Sequence, residues 1–164
     1  MKILLEAPIL TQSGYGEHSK LVFKSICDTS HDIYVNPLKW GETSWNVFEA
    51  PEKLRDSIRK YGEYLEQAKS TTGQLEFDMQ IHVGIPNEFE KKAPFSICVT
   101  AGIETDRVSS NWLLKTHQGI DKLIVPSNHA KSGFETTSYQ IKNESNNTET
   151  LLECNCPISV VPYP

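Results

Sequence analysis

The sequence predicts an α/β domain built on a doubly wound, mostly parallel sheet, and three observations carry that class. Six short runs rich in Ile and Val punctuate the chain with little apolar–polar alternation, as in strands covered on both faces. Stretches with helical spacing of apolar residues lie between them, the clearest at 51–70. Glycine, proline and serine gather where one kind of segment gives way to the other. One domain spanning 1–164 is expected.

The elements follow in order. KILLEA (Lys2–Ala7) is an apolar run of strand length, too short and poorly flanked for a secretory leader. TQSGYGEHSK (Thr11–Lys20) comes next, then the helix-like LVFKSIC. DIYVNPL (Asp32–Leu38) is the second strand. In PEKLRDSIRKYGEYLEQAKS, Leu54, Ile58, Tyr61, Leu65 and Ala68 recur at spacings of four, three, four and three, and Pro51 and Glu52 suit a first helical turn. FDMQIHVGI (Phe77–Ile85) is the third strand, with Gly84 and Pro86 marking a sharp exit. FSICVTA (Phe95–Ala101), KLIVP (Lys122–Pro126) and PISVVP (Pro157–Pro162) complete the six. SNWLLKTHQGI and SNHAKSGFETTS read as shorter helices, with Ser110 and Ser127 as N-caps. The polar KNESNNTETLLE (Lys142–Glu153) reads as a surface turn or hairpin tip.

Composition removes several classes of function. The formal charge is −5 with acids and bases interspersed, which argues against a nucleic-acid partner, because neutralising phosphates needs a basic face. No apolar run approaches the ~20 residues that span a bilayer. The four cysteines form no C-x-x-C pair; Cys154 and Cys156 would point to one side of an extended chain, but a zinc site needs two more ligands that the sequence does not signal. Free thiols in a reducing cytoplasm are therefore expected, with no metal, and the sequons at Asn143 and Asn146 are then silent.

Ligands of open parallel sheets bind beyond the carboxyl ends of the strands. The loops there are PILTQSGYGEH, KWGETSW, HVGIPNEF, TAGIETDR and VPSNHAK. In the first, Gly14 and Gly16 let backbone amides approach an anion at the mouth of a helix, or only let the chain turn. The spacing is not G-x-G-x-x-G, no Walker lysine is present, and Asn36 and Pro37 stand where a dinucleotide site expects an acid, so a nucleotide-binding dehydrogenase ranks last. Gly16→Val separates the two uses of glycine: a ligand-facing residue predicts a stable but inactive protein. His82, near the end of the third strand, suits a general base or a partner for a sugar hydroxyl, or is satisfied within the fold. Glu104 and Asp106 form either a carboxylate pair or ion pairs with Arg107. Trp40 and Trp45 either stack on a sugar ring or make a satellite core.

Two stretches resemble a known family. VTAGIETDRVSSNWLLKTHQGIDKLIVPSNHAKSGFETTSY is similar to the segment of family-four glycosyltransferases in which a strand ends in Thr and Glu, followed by Asp-Arg, a Trp-bearing helix, a strand closing in Val-Pro-Ser, and a helix with Lys and Phe. The first strand with SGYGEHSK resembles that family's glycine-rich first loop, and HVGIPNEF extends the likeness over most of 1–164. The resemblance implies two Rossmann-like domains facing across a cleft, of which this chain is the N-terminal, acceptor-side one and the C-terminal, donor-binding one is absent. It implies a retaining hexosyl transfer from a nucleotide-sugar donor to an acceptor saccharide or other hydroxyl, without metal or other cofactor. Residue by residue it assigns Ser13, Gly14, Tyr15 and Gly16 to donor phosphate or acceptor, Gly84 and Thr105 to substrate, and His82 and Glu104 to catalysis. The chain alone is then expected to be inactive. A carbohydrate-binding or scaffold module of the same fold is the alternative.

Overall fold

A computed structural model describes residues 1–46, 49–71, 73–143 and 148–164. The chain runs through β1 (Lys2–Ala7), α1 (Gly14–Ile26), β2 (Asp32–Pro37), α2 (Glu52–Ser70), β3 (Met79–Val83), a 3-10 turn (Pro86–Glu88) and β4 (Phe95–Val99). It continues with α3 (Ser110–His117), β5 (Lys122–Val125), α4 (Asn128–Thr136), β6 (Tyr139–Asn143), β7 (Thr148–Leu152) and β8 (Ile158–Val160). Six strands form one parallel sheet in the order β2-β1-β3-β4-β5-β8, flanked by helices, so the predicted Rossmann-like class holds. The polar stretch after α4 is an antiparallel hairpin of β6 and β7. Its tip, 144–147, lies outside the described residues, and the two sequons run into it. Among the described residues no helix is long and apolar enough to cross a membrane.

The chain divides into two compact units, Met1–Gly84 with Lys92–Ser96, and Ile85–Lys91 with Ile97–Pro164. In the first, β1 is central. It pairs with β2 from Lys2↔Asp32 to Ala7↔Pro37 and with β3 from Ile3↔Met79 to Glu6↔His82. The chain steps from β1 to β2 and then returns past β1 to β3. Right-handed crossovers therefore put α1 and α2 on opposite faces, and the topological switch point falls between β1 and β3. On the α2 face, Leu4 and Tyr34 pack with Phe77 and Ala93 against Tyr61, Tyr64 and Leu75. The tyrosine and phenylalanine rings meet at centroid distances of 5.3–6.5 Å, mostly tilted or edge-on, which suits their quadrupoles.

In the second unit, Leu123 and Val125 of β5 and Cys98 of β4 pack with Leu113, Ala130 and Phe134 of α3 and α4. Trp112 stacks on Phe134 at 5.9 Å and donates its indole N–H to Asn87 Oδ1 at 3.0 Å. Of these two helices, the start of α3 differs by one residue from expectation. Ser109, not Ser110, caps α3, its Oγ accepting from Asn111 N at 3.3 Å with extended backbone; Ser110 is already helical. Ser127 caps α4 as expected, accepting from Ala130 N at 3.1 Å. Past the end of α3, Gly119 has φ 120°, a conformation that glycine alone adopts without strain.

Candidate functional site

The first unit carries the loops of the switch point. After β1 the chain turns at Thr11, whose N–H and Oγ1–H both donate to the Pro8 carbonyl, at 3.0 and 2.7 Å. Thr11 Oγ1 also meets Ser13 Oγ at 2.8 Å, and Ser13 caps α1 by accepting from Gly16 N at 3.0 Å. Gly16 N–H is therefore already used inside the chain. A Cβ on Gly16 would overlap the Thr11 carbonyl oxygen and lie 2.9 Å from Thr11 Oγ1, so this glycine is fixed by close approach of backbone to backbone. Gly14 is different: nothing lies within 4 Å of where its Cβ would stand, and it is exposed in the first turn of α1.

The loop after β2 is zipped to this one. Gln12 N donates to Ser44 O at 3.2 Å, Asn46 N donates to Leu10 O at 2.8 Å, and Thr11 and Trp45 form an isolated bridge. Trp40 lies against Tyr15 with ring centroids 4.4 Å apart and a 46° tilt. Of the two tryptophans, Trp40 thus makes a small aromatic cluster, while Trp45 stays 42% exposed. Trp45 lines a shallow pocket of about 300 Å³ with Lys39, Gly41, Glu42 and Thr43.

His82, opposite Glu6 on the β1–β3 ladder, is 2% exposed. Its imidazole lies over Gly84, where a Cβ would come within 2.9 Å of His82 Nε2. Gly84 makes room for that ring, and acid–base work by His82 on a bound molecule needs the β3 exit to open. Below it is a buried polar cluster that sequence reasoning missed. Glu6, whose side chain is 4% exposed, accepts from Lys92 Nζ and Asn36 Nδ2 on Oε1, at 2.7 and 2.8 Å, and from Gln80 Nε2 on Oε2 at 2.7 Å. Gln80 Oε1 in turn accepts from Lys92 N at 2.8 Å and Ser96 Oγ at 3.1 Å. The available signal was the charge inside the apolar run KILLEA; a buried carboxylate needs donors, and Asn36 is one of them.

The second unit carries the loops after β4 and β5. Glu104 and Thr105 are exposed. Thr105 Oγ1 donates to Arg107 O at 2.7 Å, and its carbonyl lies 3.1 Å from His129 Nε2 in the first turn of α4. The two stretches that carry the resemblance here, IETDR and VPSNH, are thus joined through a histidine not singled out from sequence. Arg107 is not the ion-pair partner weighed for Glu104 and Asp106. Its Nη2 donates to Ser138 O at 3.3 Å and its guanidinium stands 5.3 Å from the Tyr139 ring. A helical Gly133 lets Ile103 pack where a Cβ would stand, which holds this loop against α4.

Ser13, Gly14, Tyr15 and Gly16 thus share the exit of β1, with His82 and Gly84 on the neighbouring strand, while Glu104 and Thr105 belong to the other unit. Among the described residues no group of three or more His, Cys, Asp or Glu is arranged to hold a metal ion. No protein-family model, curated protein or solved structure matches the chain.

Proposed function

We propose that this chain is the acceptor-side part of a retaining glycosyltransferase, which passes a sugar from a nucleotide-sugar donor to an acceptor hydroxyl. The observation that carries the reading is the joining, beside the β1–β3 switch point, of the open glycine turn Ser13–Gly14–Tyr15 with the Tyr15–Trp40 ring pair. Crevices at switch points take ligands in open α/β sheets. The open space at Gly14 gives a ligand access to the main chain of the first turn of α1, whose dipole favours a diphosphate. An aromatic face beside it suits the apolar side of a sugar ring. The chain's own contribution is to orient the acceptor and to stabilise charge on the leaving diphosphate. The donor nucleoside is held by a further domain, and Glu104, which the resemblance assigns to catalysis, lies with Thr105 in the exposed loop after β4 of the second unit. One observation favours a sugar-binding module instead: His82, the imidazole that the resemblance assigns to catalysis, is only 2% exposed.

Amide chemical-shift titration of the full chain with uridine diphosphate, guanosine diphosphate and a panel of oligosaccharides tests the reading. Shifts confined to Gly14, Tyr15 and the Trp40 indole are expected. Gly14→Val should weaken them at least tenfold with Tm unchanged. If no nucleotide and no saccharide moves these resonances, the reading fails. Enzyme and module separate in the protein joined to its donor-holding domain: Glu104→Gln should lower kcat by about a hundredfold or more in an enzyme. Saccharide binding without turnover identifies the module.

A further inference from the structure

Away from the switch point, the segment between β7 and β8 brings two thiols together. Cys154 and Cys156 are half-buried, unbridged, and packed against the core of the second unit. Cys154 Sγ lies 3.7 Å from the Cys156 carbonyl oxygen, within hydrogen-bonding reach. The turn between them is anchored: Asn155 N donates to Thr116 Oγ1 at 2.9 Å, and His117 Nε2 lies 2.9 Å from Glu153 O, both at the end of α3. The pair opens on a pocket of about 260 Å³ lined also by Glu135, Glu153, Pro157 and Ile158. We propose that Cys154 and Cys156 form a thiol–disulfide exchange site, in which Cys154 attacks a low-molecular-weight disulfide and Cys156 resolves it.

The chemistry of the pair supports that division of roles. Hydrogen bonding from the Cys156 side chain, opposed by burial and aided by the Cys156 backbone and Thr116, holds the Cys154 thiol down to about 6. The same hydrogen bond, with burial, pushes the Cys156 thiol up, and Asp121 adds to the rise. Glu135 acts on Cys154 in the opposite sense, through its negative charge. The hydrogen bond between the two side chains favours loss of the first proton from Cys154. In the exchange, Cys154 thiolate attacks one sulfur of RS–SR; that S–S bond breaks, RS⁻ leaves, and Cys154–S–SR forms. Cys156 then loses its proton, attacks Cys154 Sγ and expels the second RS⁻. Two protein thiols are oxidised by two electrons to one bridge, and one RS–SR is reduced to two RSH, which carry the two protons. A bridge between residues two apart closes a small, strained loop, so a dithiol reverses it readily.

The test uses the full chain with Cys27→Ser, which removes the other partly exposed thiol. The protein is incubated with oxidised glutathione across a range of glutathione ratios and read by intact mass and peptide mapping. Loss of two hydrogens mapped to Cys154–Cys156, regained on adding dithiothreitol, is expected. Cys156→Ala should accumulate the mixed disulfide on Cys154. Cys154→Ala should leave neither bridge nor adduct over the same time. At pH 7, iodoacetamide should alkylate Cys154 about threefold faster than a reference cysteine peptide: roughly 30-fold more thiolate, offset about tenfold by lower intrinsic nucleophilicity. Circular dichroism of each variant establishes that it is folded. The proposal is overturned if no bridge forms at any ratio, or if the adduct builds up on Cys156 as fast as on Cys154.

Discussion

Because the Thr11 carbonyl lies where a Cβ of residue 16 would stand, any side chain at Gly16 must push α1 away from the β1 exit. Gly16→Ala is therefore expected to cost about 1–3 kcal/mol, as overpacked sites do. Gly14→Ala should leave stability unchanged or raise it by about 0.4–1 kcal/mol, since open space and a helical backbone await the methyl. Urea titrations of the two variants check this, and equal losses would contradict it. The stable-but-inactive Gly16→Val expected from the sequence gives way to an unstable one, which moves the functional test to Gly14. Glycine letters alone could not separate the two, because the difference lies in what a neighbouring loop puts beside each. The same limit hid the role of Glu6. Its charge was visible, its donors from β2, β3 and the start of the β4 segment were not. Glu6→Ala removes a carboxylate that accepts from Lys92, Asn36 and Gln80 and leaves them facing one another without it. A loss of about 3–5 kcal/mol is expected by denaturant titration. A loss below about 1 kcal/mol would mean that water replaces the carboxylate at no cost.

Single elements were more legible than their ends or their partners. Strand-length apolar runs and the four-three-four-three spacing of α2 are local signals, and both became the elements expected of them. The one-residue shift at α3 arose because Ser109 and Ser110 are equally good caps as letters; Ser109 is the one with extended backbone and an Oγ in reach of Asn111 N. At α4 only one serine competes, and it caps. Ser127→Ala should cost about 1 kcal/mol, or about 2–4 °C in Tm for a domain this size, whereas Ser110→Ala should be near neutral. A second expectation concerns α1. His18 is half-buried, and burial holds its imidazole below the ordinary 6.5. The unfolded chain therefore takes up a proton at a pH where the folded one does not. Stability is expected to fall as pH drops below about 6.5 and to level off below the folded-state value. The part due to this residue is the difference in pH dependence between the wild type and His18→Gln. Parallel profiles from pH 8 to 5 would show that His18 does not contribute.

At the scale of the whole molecule, the class was legible and the strand order was not, since order depends on which way each crossover turns rather than on any one segment. The 2-1-3-4-5 arrangement places the switch point between β1 and β3, which is why SGYGEH and HVGIP, far apart in sequence, exit from neighbouring strands. The thiols lead to the last prediction. Cys98 lies in the core of the second unit, where burial pushes its thiol up; Cys27 belongs to the first unit; Cys154 and Cys156 share one turn. All four stand unbridged, so no cross-link between distant segments contributes to stability. Thermal unfolding should then be indifferent to a fresh reductant and to a chelator. Removing a native disulfide from a small domain typically costs about 2–5 kcal/mol, which at about 2–4 °C per kcal/mol would lower Tm by about 4–20 °C. Such a drop with reductant would reveal a long-range bridge, and one with chelator would reveal a structural metal. Oxidation of Cys154 and Cys156 does not blur the test, because a bridge between residues two apart removes little entropy from the unfolded chain.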